Sequence, residues 1–478
     1  MVTRRQFLRV SSLITASLAV APGRLLAQST GQMTYPTRRP LPKDRCFTSR
    51  AVEEKILAVK RTLRDPELAW MFENCFPNTL DTTVTLGMHR GKPDTYVITG
   101  DIDAMWLRDS SAQVWPYLPL MKEDSALERM VTGVINRHAS CVMIDPYANA
   151  FYRDAQKVSE WQHDRTDMKP GVHERKWEVD SLCYVIRLAY GYWNAGGNPG
   201  CFDREWLEAM RVIVRTFKEQ QRKDGVGPYR FQRTTDRPFD TAAGIGHGNL
   251  ARPNGLICSV FRPSDDATVF PYLIPSNFFA VVSLRQLAEL VRAHFQEAAF
   301  ANEASALADE VHQALKEHAT IHHEHFGEIL AYEVDGFGSC CLLDDANVPS
   351  LLSLPYLDAI SSEEASLYER TRLFLLNADA NPYYVRGRAA EGVSGPHAGR
   401  DMIWPMAVIM RALTSPYPQE SARSLAILKA THAGTGFMHE AFHKDDAKVY
   451  TRPWFAWANT LFGEFILRTM ETNPQLLT

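Results

Sequence analysis

No block of like charge runs along the 478 residues, and the formal net charge is only −4. A chain without a basic field has nothing to grip a nucleic-acid backbone or an anionic membrane surface, so both are excluded as partners. Metal-ligand patterns are missing too. None of the eight cysteines (Cys46, Cys75, Cys141, Cys183, Cys201, Cys258, Cys340, Cys341) has CxxC spacing, and no histidine pairs with them as zinc sites require. Most lie in apolar stretches and read as small buried hydrophobes, with pairing in an oxidising compartment as the alternative. Adjacent Cys340 and Cys341 are not expected to bridge each other. Self-similar repeats of about 20 to 50 residues are also lacking, which excludes a solenoid.

What is present begins with an export signal. Thr3-Arg4-Arg5-Gln6-Phe7-Leu8-Arg9 is a twin-arginine pattern, followed by a modest apolar run from Ser12 to Ala21 and small residues up to Ala27. That run is too short and too rich in Ser, Thr and Ala to span a bilayer. Residues 1–28 are therefore expected to be a signal peptide cleaved after export in the folded state, to a periplasm or beyond. The competing reading is a basic arm with a short buried helix. Residues 29–50, rich in Pro, Thr and Arg, read as a linker, and 51–474 as one domain.

Helical periodicity fills that domain. It recurs near 51–74, 106–119, 125–142, 177–193, 203–221, 300–322, 364–376, 401–413 and 420–431. Pro275 opens another stripe of Phe278, Val281, Leu284, Leu287 and Val291, and Pro453 is placed in the first turn of a last one. Strand-like alternation is confined to Asp94 to Thr99 and Ile329 to Val334. About a dozen helices joined by aromatic, Gly- and Pro-rich loops predict an all-α protein, an (α/α)6 toroid of helical hairpins with short β-hairpins in its loops.

Four loops combine acids with aromatics. In Asp101-Ile102-Asp103-Ala104-Met105-Trp106-Leu107-Arg108-Asp109, a carboxylate–Trp–Arg–carboxylate set can bond a sugar's vicinal hydroxyls while the indole covers its C–H face. Arg108 and Asp109 fit a structural ion pair equally well. Asp180, in an apolar run after Glu174-Arg175-Lys176-Trp177-Glu178, needs either a partner or a function. In Ser264-Asp265-Asp266 crowded acids can raise one pKa and prepare a proton donor, or one can simply cap a helix. Glu440, in Gly436-Phe437-Met438-His439-Glu440, follows a glycine turn and precedes the aromatic segment Trp454-Phe455-Ala456-Trp457, a fitting place for a base that activates water. His397, in Gly395-Pro396-His397-Ala398-Gly399, reads as a pocket wall or a satisfied structural histidine.

Taken together, the blocks TGDIDAMWLRDSSAQ, ERKWEVDSLCY, FRPSDDATVFPYLIPSNFFAVV, YEVDGFG, NPYYVRG and GFMHEAFHKDDAKVYTRPWFAWAN resemble glycoside hydrolase family 125, the exo-α-1,6-mannosidases, over about residues 50 to 470. The resemblance implies removal of terminal mannose with inversion and without metal or cofactor. It places the catalytic acid in the SDD segment, Asp266 before Asp265, and the base at Glu440. Sugar-binding roles carry over to Asp101, Trp106, Arg108, Asp109, Asp180, Asn277, Asp335 and His397. Asp103 stands where many relatives are expected to have proline, which affects loop rigidity. An α-mannoside oligosaccharide or glycan is the implied partner of a monomer, with no membrane contact after signal removal. The alternatives are a related (α/α)6 glycosidase of other linkage specificity and a catalytically silent periplasmic sugar-binding protein.

Overall fold

Two kinds of helix alternate along the chain, and their burial sets the layers. In the computed structural model, which describes residues 35–478, the helix Arg204–Gln220 buries one stripe, Trp206, Leu207, Met210, Ile213, Val214 and Phe217, and leaves its charged residues to solvent. The helix Val179–Asn194 instead buries every residue from Val179 to Ala189. A helix buried around its whole girth has neighbours on all sides, so it belongs to an inner ring.

That ring comprises Leu107–Val114, Val179–Asn194, Ile274–His294, a short 3-10 turn at Leu354–Leu357, Pro405–Leu413 and Ala456–Thr472. Each is preceded by an outer helix: Pro66–Cys75, Ser125–Ile144, Arg204–Gln220, Ala298–His318, Ala365–Leu375 and Pro418–Thr431. The last inner helix packs against the first, closing six pairs into an (α/α)6 toroid.

The two rings also start differently. Several outer helices have acidic caps: Asp65, Asp124 and Asp203 each accept from first-turn amides. The five inner α-helices start from Trp106, Glu178, Leu273, Trp404 and Phe455, none of which makes a side-chain cap. Their free amides and positive dipole ends are left to the loops that enter them. Small antiparallel sheets stiffen those loops, among them Met105–Trp106 with Ala150–Phe151 and Val172–Glu174, and Met402–Ile403 with Ala441–His443 and Asp446–Thr451.

The structure corrects several boundaries. The stripe read at 51–74 is two helices, Arg50–Thr62 and Pro66–Cys75, broken before Pro66. Pro453 lies in the loop ahead of the last helix, which begins at Ala456, and Asp401 to Ile403 lead into Pro405–Leu413 as turn and strand. The alternation at Ile329 to Val334 is split between Gly327–Leu330 and Glu333–Val334. Residues 36–49, assigned to a linker, are docked on the toroid: Arg39, almost fully buried, bonds Asp81 at 2.7 Å and pairs with Glu53. All eight cysteines are free thiols. The expected signal peptide, 1–28, lies outside the described residues.

Candidate active site

Loops entering all six inner elements meet at one end of the ring, around a cavity of about 400 Å³. Its size sits near the lower end of the roughly 300–1,000 Å³ common for small-molecule sites. Thr99 to Asp109 supply one wall, Glu160 to Lys176 a second, and Arg233 to Asp265 a third. Asn347, His397, Trp404, Glu440, Arg452, Phe455 and Trp457 complete it.

The acid loop is a tight hairpin. Phe261 bridges Ala267, and the amide of Asp265 donates to the carbonyl of Arg262 at 2.9 Å. Asp265 itself has φ of +65°, a left-handed conformation that aspartate tolerates better than most residues. The turn sends the consecutive acids apart. Asp265 lines the cavity; Asp266 does not, accepting from Ser264 Oγ at 3.1 Å and lying 3.6 Å from His397 Nδ1. The structure therefore orders the pair differently from the sequence reading, which put Asp266 first.

Beneath Asp265 lies a buried charge cluster. Arg108 donates from Nη2 to Asp265 at 3.2 Å and from Nη1 to Glu178 and, at 3.4 Å, to Asp180. Asn149 Nδ2 also reaches both Asp265 and Glu178, at 3.2 and 3.4 Å. Burial would raise the pKa of Asp265, but Arg108, Lys176 and a hydrogen bond from Glu178 outweigh it and hold the carboxyl below its ordinary range. Glu178 goes the other way: burial and the charges of Asp265 and Asp180 raise it well above a normal glutamate despite Arg108. The pair thus keeps one proton, resident on Glu178. Burial similarly lifts Asp109 to about 6.

Glu440 faces the same cavity. The loop before it approaches the outer layer so closely that a Cβ on Gly436, whose φ is +77°, would stand 2.7 Å from the Trp70 ring. Asn459 of the last inner helix then accepts the amide of Met438 at 2.8 Å. Arg452 lies 3.5 Å from Glu440 and is itself held by Asp101, at 2.6 and 2.8 Å, and by Thr99. Burial alone would depress His397, yet its bond to Asp266 and the charges of Asp266, Glu440 and Asp265 push it up to about 9.

Three cavity-lining donors, Trp106 Nε1, Trp404 Nε1 and Asn347 Nδ2, are buried without an acceptor among the described residues. A ligand dense in hydroxyl oxygens would satisfy them; an apolar one would leave each unpaired at a penalty of about 1–3 kcal/mol.

Of the residues singled out from sequence, Trp106, Arg108, Asp109, Asp265, His397 and Glu440 line the cavity. Asp101 acts on it through Arg452. Besides Asp266, three others do not reach it. Asp180 sits below Arg108 with no exposed surface. Asn277 is an anchor for the acid loop, accepting from the Ile257 amide at 2.8 Å and donating to the Ile257 and Leu273 carbonyls. Asp335 folds a turn by accepting the amides of Phe337 and Ser339. Sequence reasoning missed Asn149, Lys176, Glu178, Asn347, Trp404 and Arg452. The available signal was the density of charge in Glu174 to Glu178 immediately before a largely apolar helix.

Comparison with known proteins agrees with this geometry. The family described as metal-independent α-mannosidases (GH125) matches residues 65–467. A curated relative, the meiotically up-regulated gene 157 protein of Schizosaccharomyces pombe, is 41% identical, over 95% of this chain and 92% of its own. A solved metal-independent α-mannosidase of Streptococcus pneumoniae, in a non-productive complex with α-1,6-mannobiose, superposes with a TM-score of 0.85 at 39% identity, covering 90% of this chain and all of that one. A bacterial glucoamylase complexed with acarbose shares the fold alone, with a TM-score of 0.50 at 11% identity, over 87% of this chain and 57% of its own.

Proposed function

The chain belongs to the metal-independent α-mannosidases of glycoside hydrolase family 125, and from that membership we propose that it releases terminal mannose from α-1,6-linked oligosaccharides by a single inverting displacement. The carrying observation is that Asp265 and Glu440, from loops far apart in sequence, line one cavity whose orphaned donors call for a polyhydroxylated ligand. The α-1,6-mannobiose bound by the pneumococcal relative supports the linkage.

Asp265 is the proton donor in this reading, since it and not Asp266 borders the cavity. The proton starts on Glu178, passes to Asp265, and goes from there to the departing glycosidic oxygen. Ionised Glu440 takes a proton from the water that attacks the anomeric carbon from the opposite face. Afterwards Glu440 loses its proton to solvent and the Glu178–Asp265 pair regains one. Inversion requires room for that water, a carboxyl separation of roughly 6.5–9.5 Å; roughly 5–5.5 Å would signal retention.

Exo action is part of the proposal, and the gradient of exposure across the cavity supports it: Arg108 and Trp457 are buried and Asp265 half-buried, whereas Trp161 and Arg237 at the rim are exposed, an arrangement that suits entry of a chain end. Time-resolved NMR of α-1,6-mannobiose hydrolysis tests the whole reading. β-Mannose is expected as the first product; α-mannose would overturn inversion, and no hydrolysis would overturn the activity.

A further inference from the structure

A second cavity, of about 430 Å³, opens at the opposite end of the toroid. The inner helices Val179–Asn194 and Ala456–Thr472 begin at the catalytic mouth. Arg187 and Leu467, which line the second cavity, come about 12 Å and about 16 Å further along them. Trp115, Leu118 and Leu120, from the segment that follows Leu107–Val114, join Leu467 in its apolar walls. Trp115 lies so close on Gly191 that a Cβ there would run into the indole, so this wall is fixed before anything binds.

Arg187 is the group that the packing leaves unpaired. It is 7% exposed, with its guanidinium carbon 4.1 Å from the centre of the Trp115 ring and 4.8 Å from that of Tyr356. Among the described residues it makes no hydrogen bond and no salt bridge. The similarly buried Arg108, Arg175, Arg233, Arg262 and Arg372 each pair with a carboxylate, and Arg222 bonds the His247 carbonyl. Unlike Arg108 Nε and Arg372 Nε, which are sealed off without a partner, none of the Arg187 nitrogens is closed in, so its donors open into the cavity.

A guanidinium cannot discharge by losing its proton, and stacking on rings satisfies its faces but not the five N–H groups in its plane. Between apolar walls those donors call for an oxyanion, and their planar fork matches a carboxylate bidentately. Lys55, half-buried and without a salt bridge among the described residues, adds a second cation to the lining. None of the three carboxylates in that lining reaches Arg187. Glu464 is spent on the Tyr356 hydroxyl at 2.8 Å and on Arg468 at 2.9 Å, while Asp358 and Glu471 are exposed.

We propose that this cavity binds a small organic carboxylate with an apolar tail, its head on Arg187 and its tail along Trp115, Leu118 and Leu467. The site stands apart from the mannosidase reading, because it shares no lining residue with the catalytic cavity.

Isothermal titration calorimetry on the full chain tests it, with octanoate, octan-1-ol and inorganic phosphate as probes of wild type and Arg187→Met. Octanoate is expected to bind wild type at least about tenfold more tightly than octanol, which lacks the charge, or phosphate, which lacks the tail. Arg187→Met keeps an apolar stem against Trp115. It should weaken octanoate on the order of tenfold or more and leave octanol within about twofold. Octanol matching octanoate in wild type, or octanoate undiminished in Arg187→Met, overturns the anion site. Phosphate matching octanoate overturns the role of the apolar walls, and with it the proposed ligand class. No octanoate binding to wild type at millimolar concentration overturns the whole inference. The wild-type comparison decides by itself should Arg187→Met fail to fold.

Discussion

Replacing Glu178 by glutamine isolates the proton from everything else the residue does. Glu178 is 1% exposed, and its Oε2 accepts from Arg108 and from Ser181 at 2.7 Å, which leaves Oε1 as the proton-bearing oxygen toward Asp265. A glutamine can place its carbonyl at Oε2 and its amide at Oε1. Shape, neutrality and the two bonds accepted at Oε2 survive, and only the long 3.4 Å bond from Asn149 to Oε1 is lost, so folding stability should shift by about 1 kcal/mol. The amide still donates to Asp265 but cannot hand over a proton, and Arg108 and Lys176 then hold Asp265 ionised. General acid assistance is worth about 10²–10⁴ in rate, or roughly 3–5 kcal/mol of barrier. Stopped-time assays on α-1,6-mannobiose should therefore show kcat falling by about that factor. α-Mannosyl fluoride, whose fluoride departs without protonation, should lose less than about threefold. Full mannobiose turnover in Glu178→Gln would refute the shared-proton argument, and a matching loss on the fluoride would show damage to the pocket instead.

Glu440→Gln should remove the base and cut turnover of mannobiose and fluoride alike by about 10² or more in steady-state assays, because both need an activated water. Asp266→Asn should act through His397. That imidazole titrates at about 9 when folded, above the usual histidine value near 6.5, so its stabilisation is complete below about pH 6.5 and is lost as pH rises through about 9. Thermal melts of the wild type should fall across that window, and Asp266→Asn should flatten the fall. Gly100→Ala should destabilise the protein by about 2–4 kcal/mol in denaturant unfolding, because φ is +133° and the new Cβ would lie 2.2 Å from the Trp454 carbonyl oxygen.

The helical toroid was legible because each layer writes its own pattern: stripes for outer helices such as Arg204–Gln220, apolar runs with few polar interruptions for inner ones such as Val179–Asn194. The turns between them were less so, as the misplaced start at Pro453 shows; proline marks a boundary but not on which side the helix lies. Among site residues, acids beside aromatics led to Asp265, Asp109 and Glu440, and all three line the cavity. Asp335 carried the same local signature and yet spends its carboxylate on two backbone amides. Glu178 and Asp180 are two residues apart, yet the helix begins between them. The first therefore stands at the helix entrance under the cavity and the second in the turn below, a distinction that depends on one boundary. Trp404 and Asn347 show themselves only as donors with nothing to bond, which requires coordinates.

The bridge between Gly100 and Phe455, with the Ala456 amide bonded to the Thr99 carbonyl, staples the first mouth loop to the last. Arg452 and Glu440 hang from one side of that staple and Asp101 from the other. A growing polypeptide consequently owns no reaction vessel until its final helix has been made and has docked beside Leu107–Val114. Any chain cut short before that helix would lose the base's support, the ring's closure and the pocket in one step.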